Sequence, residues 1–479
     1  MFRPEHWRVR ASCPPRPRNL RLNPCFNAVR FVLRTSVMND GSASNDSRAD
    51  ALIHSTAVHT IFWTLLILGI AAHLGFALLG GNHLETPFSG GGDTEKYVLL
   101  AQNLLAGRGF GYAGVPTAFR PPLFPMILAA LMWISPAHWM ILLRALQFLA
   151  SLFTAWLCGR LSARWFGQTA GSAALVIGML LPTQIYFTGE VLTECFASFL
   201  GIAFFLFFDE AVRTGRARAL IGLGAIAGVA ALERFNDAAL AVIACSAVLL
   251  WSQASKAGGE RFAPRARRAL IAAVACGVVI APWLVHTLVA FRGHALYSTH
   301  SGYAAVEGVI MPLGRTQPGE SPFLRHTLGW INDDIENNSP ARPEFRDEPA
   351  LNRGAWRLAF SLWRKTGWGL VPIEFQKLAA FWLSADQIEF TQRLSWRNRA
   401  LRATGVAACW AVLLLGIAGW LRLRRTHRGI ADALLFYALV LTALHLPLTM
   451  NTRLRSPLFD PLLASLAGGA CAPLLRWFE

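Results

Sequence analysis

The sequence predicts an all-α integral membrane protein with about ten transmembrane helices, several interfacial helices and one long, mostly helical external loop. Hydrophobic residues make up 54% of the 479 residues and charged residues only 15%, whereas about a quarter of a typical soluble protein is charged. Runs of roughly 20 apolar residues recur along the chain, and each is long enough to cross about 30 Å of hydrocarbon as a helix. No ten-residue pattern of alternating polar and apolar residues repeats, as the strands of a membrane β-barrel would require.

The first part of the chain, residues 1–50, is rich in Arg, Pro, Ser and Asn and has no long apolar run. This composition predicts a disordered basic tail on the cytoplasmic side. Met38 opens a polar segment typical of a protein N-terminus, so translation from Met38, without residues 1–37, is a hypothesis that mass spectrometry of the native protein would test. The net charge of +17 comes mainly from Arg and Lys in short loops between apolar runs. Cytoplasmic loops show this bias, so we expect no nucleic-acid partner.

Ten apolar runs follow the tail, and the basic loops between them predict that both termini lie in the cytoplasm. We expect residues 51–290 to form the main transmembrane module and residues 401–479 to form the last three spans. The predicted spans are residues 58–80, 139–160, 168–187, 190–210, 217–233, 236–252, 269–290, 401–421, 431–448 and 457–474.

Two segments, residues 81–121 and 291–400, are predicted to lie outside the membrane. Apolar residues at helical spacing over residues 94–106 predict a short amphipathic helix on the membrane surface. Residues 121–134 are apolar but short and proline-rich, which predicts a re-entrant or interfacial helix. We expect the longer loop to cap the site that the shorter loop and the helix ends build. Its predicted helices are residues 354–366 and 373–384.

Ionisable side chains gather near the outer ends of the predicted spans and in the first external loop. Such groups are costly at membrane depth and often line a cavity or a site, although an anchoring role at the interface is the alternative for each of them. Glu190 and Glu194 are spaced i, i+4 in a predicted span, so we expect them to share a helix face with a cation between them. The candidate site residues are Asp93, Tyr97, Arg120, Glu190, Glu194, Arg234, His286 and Arg453.

No cofactor is firmly indicated by the sequence. Its eight cysteines form no CxxC motif and no cluster with histidine, so we expect them to be structural and not zinc ligands. Carboxylate oxygens are the ligands that hard divalent cations prefer. A divalent metal cation held by Asp93 with Glu194, or with Glu190, therefore stays open as an alternative.

Several short motifs occur in a fixed order along the chain. Residues 92–110 read GDTEKYVLLAQNLLAGRGF, and residues 120–125 read RPPLFP. Later segments are LTE at residues 192–194, APW at residues 281–283 and STHSGY at residues 298–303. This series resembles the motifs of bacterial GT-C glycosyltransferases, which have an Asp and a Tyr before A-x-N-L-x-x-G-x-G-F in the first external loop, followed by R-P-P-G-Y-P. The families that the chain resembles include protein O-mannosyltransferases and aminoarabinose transferases acting on lipid A.

The resemblance implies a GT-C-like helix bundle that moves one sugar from a polyprenyl-phosphate carrier to an acceptor, with inversion at the sugar. The implied acceptor is a cell-envelope glycan such as lipopolysaccharide, a lipid or a protein, on the outer face of a bacterial inner membrane. Asp93 matches the catalytic Asp of the family and is expected to act as general base. Arg120 and Arg234 match basic residues that bind the donor phosphate.

Two other functional classes remain as alternatives. A lipid-linked-sugar flippase or another transporter would share the membrane bundle, although transporters often show internal repeats, and no such repeat is visible in this sequence. A scaffold that keeps the fold without activity is the second alternative. Replacing Asp93 with Asn distinguishes an enzyme from both.

Overall fold

The computed structural model describes residues 45–79, 93–112, 114–251, 262–310, 347–383, 396–448, 450 and 452–476. The chain divides into two compact units, residues 1–55 and residues 56–479. The predicted N-terminal tail lies outside the described residues except for 45–50, which are helical. All side chains discussed below belong to the second unit.

Helices account for almost all of the described chain, and the strands β1 (Gly111–Tyr112) and β2 (Val115–Pro116) form one small antiparallel hairpin. Two 3-10 turns, Phe235–Ala238 and Gly367–Gly369, join neighbouring helices. The helices are α1 Asn45–Leu79, α2 Asp93–Leu105, α3 Leu123–Ile134, α4 Trp139–Phe166, α5 Gln168–Met179, α6 Pro182–Thr188, α7 Glu194–Thr214, α8 Ala217–Glu233, α9 Ala239–Trp251, α10 Phe262–Ala290, α11 Ser301–Ile310, α12 Glu348–Thr366, α13 Leu370–Leu383, α14 Trp396–Thr426, α15 Arg428–His445 and α16 Thr452–Arg476.

The predicted all-α membrane class is confirmed, but the predicted count of ten spans is not. In the described part of the chain, seven helices (α1, α4, α7, α10, α14, α15 and α16) are long and apolar enough to cross a membrane. The predicted span at residues 168–187 is a pair of helices, α5 and α6, bent by 49°. Pro182 opens α6, where its missing N–H costs no helical hydrogen bond. The 17-residue α8 extends only about 25 Å at 1.5 Å per residue, and the segment that follows it is also short.

The centre of the bundle is formed by α7 and α16, and 72% of the most apolar stretch of each helix is buried. Small residues let their neighbours approach closely, as is common where membrane helices cross. A Cβ atom added at Gly419 of α14 would lie 1.9 Å from the carbonyl oxygen of Leu466 in α16. A Cβ atom added at Gly224 of α8 would lie 2.1 Å from the carbonyl oxygen of Ala272 in α10. These contacts hold α14 close against α16 and α8 close against α10.

The segments predicted to lie outside the membrane contain helices together with the β1–β2 hairpin. The amphipathic helix predicted at residues 94–106 is α2, and the short helix predicted at residues 121–134 is α3. In the longer loop, α12 begins after Asp347, whose side chain accepts a hydrogen bond from the backbone N–H of Ala350 at 2.9 Å. This N-cap places the start of α12 six residues before its predicted start, because a cap satisfies N–H groups that the hydrophobic pattern does not report. Residues 311–346 of this loop lie outside the described residues.

Candidate functional site

Asp93 stands at the N-terminus of α2, where the helix dipole favours a negative charge. Its side chain is 25% exposed, and arginines contact both of its oxygens. Nη2 of Arg120, in the segment before α3, donates to Oδ1. Nη1 of Arg453, at the start of α16, donates to Oδ2 at 2.7 Å. Burial raises the pKa of Asp93, but the charges of Arg120 and Arg453 outweigh burial and hold this pKa well below its usual range.

Glu194 extends this contact network into the helix bundle. It opens α7 with a side chain that is 0% exposed, and its Oε1 accepts a hydrogen bond from Nε of Arg453. Nη1 of Arg234, which follows α8, lies 3.8 Å from the same oxygen. Nη2 of Arg234 also donates to the backbone carbonyl oxygen of Arg453 at 3.5 Å. Arg453 therefore bridges two carboxylates that belong to different helices.

We refer to these five residues (Asp93, Arg120, Glu194, Arg234 and Arg453) as the acid–arginine cluster. Three guanidinium groups face two carboxylates, so the cluster has a net charge of +1 (three minus two). Arg120 Nε, Glu194 Oε2 and Arg234 Nη1 are buried and make no hydrogen bond to any residue that the structure describes. Buried polar atoms normally have a partner, and an excess positive charge favours an anion. The cluster is suited to bind an anionic group such as a phosphate.

Aromatic rings surround the guanidinium of Arg120. Its Cζ lies 5.2 Å from the ring centroid of Phe119 and 5.7 Å from that of Tyr97, within the range of cation–π attraction. The ring of Phe119 in turn meets His300 edge-on at 4.6 Å and Tyr303 at 5.7 Å. Burial and the charge of Arg120 lower the pKa of His300 to about 3, and burial raises the pKa of Tyr97 to about 12. Both rings are therefore uncharged near neutral pH.

Lys96 is a further cation beside the cluster, and it was not among the predicted site residues. It lies one turn along α2 from Asp93 and is 7% exposed. Burial, and then the charge of Arg120, lower the pKa of Lys96 to about 8. The sequence carried one signal for this residue, because a lysine three positions after an acidic helix start lies on the same face as that acid.

The structure brings six of the eight predicted site residues together: the five members of the cluster, with Tyr97 beside Arg120. The other two predicted residues are Glu190 and His286. His286 lies in α10 and stacks on Trp283 with ring centroids 5.3 Å apart. Glu190 lies in the non-helical segment between α6 and α7, where its backbone carbonyl accepts a hydrogen bond from Gln147 at 2.7 Å. The prediction that Glu190 and Glu194 share a helix face is therefore wrong, because the helix containing Glu194 begins at that residue.

Glu348, the first residue of α12, ties the predicted external loop to the site. Its carboxylate accepts hydrogen bonds from the Thr117 hydroxyl at 2.5 Å, the Ala118 backbone N–H at 3.0 Å and the Thr299 hydroxyl at 2.7 Å. Thr117 and Ala118 come just before Arg120 in the chain, and Thr299 precedes His300. The contacts of Glu348 therefore fix the two segments that carry the aromatic residues around Arg120.

The residues present do not fit the divalent cation that Asp93 and Glu194 were considered to hold. Both oxygens of Asp93 and Oε1 of Glu194 are engaged by arginines, which leaves Oε2 of Glu194 without a described partner. Hard cations take several oxygen ligands, and the cluster is already positively charged. No group of three or more His, Cys, Asp or Glu side chains within the described ranges is arranged to hold a metal ion.

No protein-family model matches the chain, and no curated protein matches its sequence. Solved structures do match. The oligosaccharyltransferase of Archaeoglobus fulgidus in its apo form matches with a TM-score of 0.50 and 14% identity over 87% of this chain and 51% of that chain. AglB, the oligosaccharyltransferase of the same organism, in complex with an inhibitory peptide and a dolichol-phosphate, matches with a TM-score of 0.49 and 13% identity over 87% and 50% of the two chains.

ArnT from Cupriavidus metallidurans, bound to undecaprenyl phosphate, matches with a TM-score of 0.39 and 15% identity over 87% of this chain and 78% of that chain. The chain spans about half the length of the oligosaccharyltransferases that it matches. At 14% identity, the likeness to the apo oligosaccharyltransferase is a likeness of fold. The expectation of a GT-C-like helix bundle is thus confirmed at the level of the fold, which the chain shares with this oligosaccharyltransferase.

Proposed function

We propose that this protein is a membrane glycosyltransferase that moves a sugar from a polyprenyl-phosphate carrier to an acceptor hydroxyl or amine. The observation that carries this proposal is the acid–arginine cluster, which places a carboxylate beside an excess of fixed positive charge at one end of a membrane bundle. The GT-C fold, shared with an oligosaccharyltransferase, supports the proposal. Transporters often bind their substrates near the middle of the bilayer, whereas the cluster lies at the starts of α7 and α16 and at the end of α8.

The donor phosphate is the proposed ligand of the cationic groups. An arginine is always charged and can grip a phosphate with two parallel hydrogen bonds. Arg120 and Arg234 stand at opposite ends of the cluster, and each has a buried nitrogen without a described hydrogen-bond partner. During transfer the carrier phosphate changes from a diester to a monoester and gains negative charge, which positive groups fixed in advance would stabilise.

The proposed reaction is a direct displacement. The acceptor oxygen or nitrogen forms a bond to the anomeric carbon of the sugar, and the bond from that carbon to the phosphate oxygen breaks. The bonding electrons leave with the phosphate, so that the carrier departs as a polyprenyl monophosphate. Asp93 takes the proton of the acceptor. Displacement from the opposite side inverts the anomeric carbon.

Asp93 is a weak base in the arrangement described here, because two arginines engage its carboxylate and lower its pKa. An arriving phosphate would compete for the same guanidinium groups. Once Arg120 turns part of its hydrogen bonding to the phosphate, the pKa of Asp93 rises and the carboxylate can accept a proton. In this proposal the donor itself switches on the base, so that Asp93 is idle when no donor phosphate is bound.

The isoprenoid chain of the carrier requires an apolar surface next to the phosphate. The helix α3 begins three residues after Arg120 and exposes Met126, Trp133 and Ile134, which are 55%, 77% and 63% exposed. We place the first isoprene units along this helix. The acceptor, proposed to be an envelope glycan, a lipid or a protein on the outer face of a bacterial inner membrane, would approach from the side covered by the external segment.

Substitution of Asp93 by Asn tests the proposal. The purified protein is reconstituted in nanodiscs, supplied with radiolabelled polyprenyl-phosphate sugars and an envelope extract, and assayed for label transfer. We expect Asp93→Asn to lower the transfer rate by about 100- to 10,000-fold, the range for loss of a general base. Glu95→Gln, two residues further along α2, is the matched control and should keep the wild-type rate. Unchanged transfer by the Asp93→Asn protein would exclude the general-base role.

A further inference from the structure

We infer that Arg453 is the built-in cation of this site: its guanidinium stands between Asp93 and Glu194 as a fixed positive bridge, so that sugar transfer needs no divalent metal ion. The chemical part of this inference rests on the proposed function. The part that concerns metal binding rests on the geometry of the cluster and is tested separately from activity.

Two nitrogens of one guanidinium form the bridge. Nη1 donates to Asp93 at 2.7 Å, and Nε donates to Glu194. The two carboxylates come from α2 and α7, and the arginine comes from α16, so three separate elements converge on this one planar group. A divalent cation between two carboxylates would make the same connection through oxygen ligands.

The charge of the surroundings decides between the two kinds of bridge. With Arg453 in place, the five-residue cluster has a net charge of +1. A divalent cation added to this cluster would meet Arg120 on one side and Arg234 on the other. Like charges at such short range repel strongly in a partly buried site. The same excess charge attracts a phosphate diester, which brings the single negative charge that neutralises the cluster.

The supply of oxygen ligands leads to the same conclusion. Within the described part of the chain, the only carboxylate oxygen of Asp93 and Glu194 without a hydrogen-bond partner is Oε2 of Glu194. That oxygen is buried and cannot satisfy a cation by itself. Arg453 is therefore a positioning residue in this mechanism. It holds Asp93 and Glu194 at a fixed separation, and the direction of its fork sets which lone pair of Asp93 faces the acceptor.

The first experiment uses the wild-type protein. Divalent ions are removed with EDTA, the protein is reconstituted in nanodiscs, and sugar transfer is measured with and without added Mn²⁺. Binding of Mn²⁺ to the same sample is followed by electron paramagnetic resonance. We expect transfer rates that agree within roughly twofold and no tightly bound Mn²⁺, because the cluster lacks free carboxylate oxygens. Loss of transfer with EDTA that Mn²⁺ restores would overturn the inference.

The Mn²⁺ measurement also separates the two proposals. One tightly bound Mn²⁺ per wild-type chain that is lost in the Glu194→Gln protein would overturn the role of Arg453, whether or not transfer is detected. Absence of transfer with every donor and acceptor, combined with absence of bound Mn²⁺, would count against the proposed function and leave the inference about the cation in place.

The second experiment removes the guanidinium. We expect Arg453→Ala to lower the transfer rate by about 100-fold, because charge-assisted pairs of this geometry depend on the planar guanidinium. Added ethylguanidinium should raise the transfer rate of the Arg453→Ala protein roughly tenfold. A merely structural arginine would not be rescued by a small molecule in the folded protein, which is verified as monodisperse by size exclusion. Arg424→Ala, at an exposed ion pair with Asp432, is the control and should respond to neither change. Wild-type activity in Arg453→Ala would refute the inference.

Discussion

Arg453 and Arg455 are separated by a single residue in α16, yet they belong to two different kinds of charged region. Arg455 pairs with Asp460 at 3.1 Å, and their side chains are 3% and 5% exposed. Thr183 donates to the same Asp460, and Arg455 also donates to the carbonyl oxygen of Trp382 at 2.7 Å. This region is neutral and closed, with one positive and one negative charge. The acid–arginine cluster around Arg453 is partly open and carries one positive charge in excess.

The difference shows how to separate a structural ion pair from a candidate binding site. A neutral, fully enclosed pair has no excess charge for an anion, even though Nε of Arg455 is buried without a described hydrogen-bond partner. Its arginine acts as an internal cross-link. A cluster that has one cation in excess and partly exposed side chains can bind an incoming anion. Burial alone does not distinguish them, since Glu194 in the open cluster is as buried as Asp460 in the closed pair.

The largest expected effect is on stability and concerns the closed pair. Arg455→Ala leaves Asp460 as an uncompensated buried charge, so we expect the free energy of unfolding to fall by about 3–5 kcal/mol. Arg453→Ala is expected to cost only about 1 kcal/mol, because its side chain is 26% exposed and both carboxylates keep a second arginine, Arg120 beside Asp93 and Arg234 beside Glu194. Denaturant unfolding in detergent measures both values. Equal losses in the two variants would remove the distinction between the regions.

The next effect concerns the cover of the open cluster. Glu348→Ala removes the acceptor of three hydrogen bonds and leaves Thr117 and Thr299 without it. We expect the free energy of local opening of α12 to fall by about 3 kcal/mol, since hydrogen bonds to a charged group are among the stronger ones. Hydrogen exchange of the α12 amides measures this opening. Glu374→Gln in α13 is the control and should leave the exchange of the α12 amides unchanged. If the Glu348→Ala protein showed faster exchange only in α13, the prediction would be contradicted.

A smaller effect is expected from pH, through Lys96. This lysine is charged below its lowered pKa of about 8 and loses its proton as the pH rises through that value. We expect kcat/KM for the donor, which reports groups of the free enzyme, to fall by about tenfold above pH 8 as one phosphate-attracting charge disappears. Lys96→Arg should keep a flat profile between about pH 7 and 9, because arginine does not titrate there. If kcat/KM of the Lys96→Arg protein fell above pH 8 as much as that of the wild type, Lys96 would be excluded as the cause of the fall.

The smallest expected effect tests the charge balance directly. Glu194→Gln raises the net charge of the cluster from +1 to +2, by one carboxylate lost. Binding of a polyprenyl phosphate without sugar should tighten by about 1 kcal/mol, as expected for one charge in a partly screened site, while transfer falls because Arg453 loses a partner. Titration in nanodiscs at two salt concentrations measures the affinity. Asp460→Asn should not change it.

Local signals predicted most of the helices, and long-range contacts account for what they missed. The span predicted at residues 217–233 is α8, with both ends as expected, because its boundaries coincide with a change from charged to apolar residues. The helix break before Pro182 was missed because a proline near the first turn of a helix and a proline within a span look alike in a hydropathy profile. The predicted N-terminal tail and much of the long loop lie outside the described residues.

The members of the candidate site could be predicted singly, but their partners could not. Asp93 and Arg453 are 360 positions apart in the sequence, and no periodicity links residues at that distance. Arg453 was predicted only as a neighbour of the substrate, and the structure places it at the centre of the cluster. Glu348 carries no local pattern that marks it, because its surroundings are created by folding.

Pro457, an apolar residue within α16, affects the acid–arginine cluster through the helix backbone. In a regular helix the carbonyl of Arg453 would accept a hydrogen bond from the N–H four positions later, but position 457 is a proline within α16 and has no N–H. The carbonyl is thereby left free for Arg234, which donates to it at 3.5 Å. Pro457 thus leaves the carbonyl oxygen of Arg453 available as an acceptor in the cluster. Replacement of Pro457 by alanine would return that oxygen to the hydrogen bonding of the helix and leave Arg234 less firmly oriented.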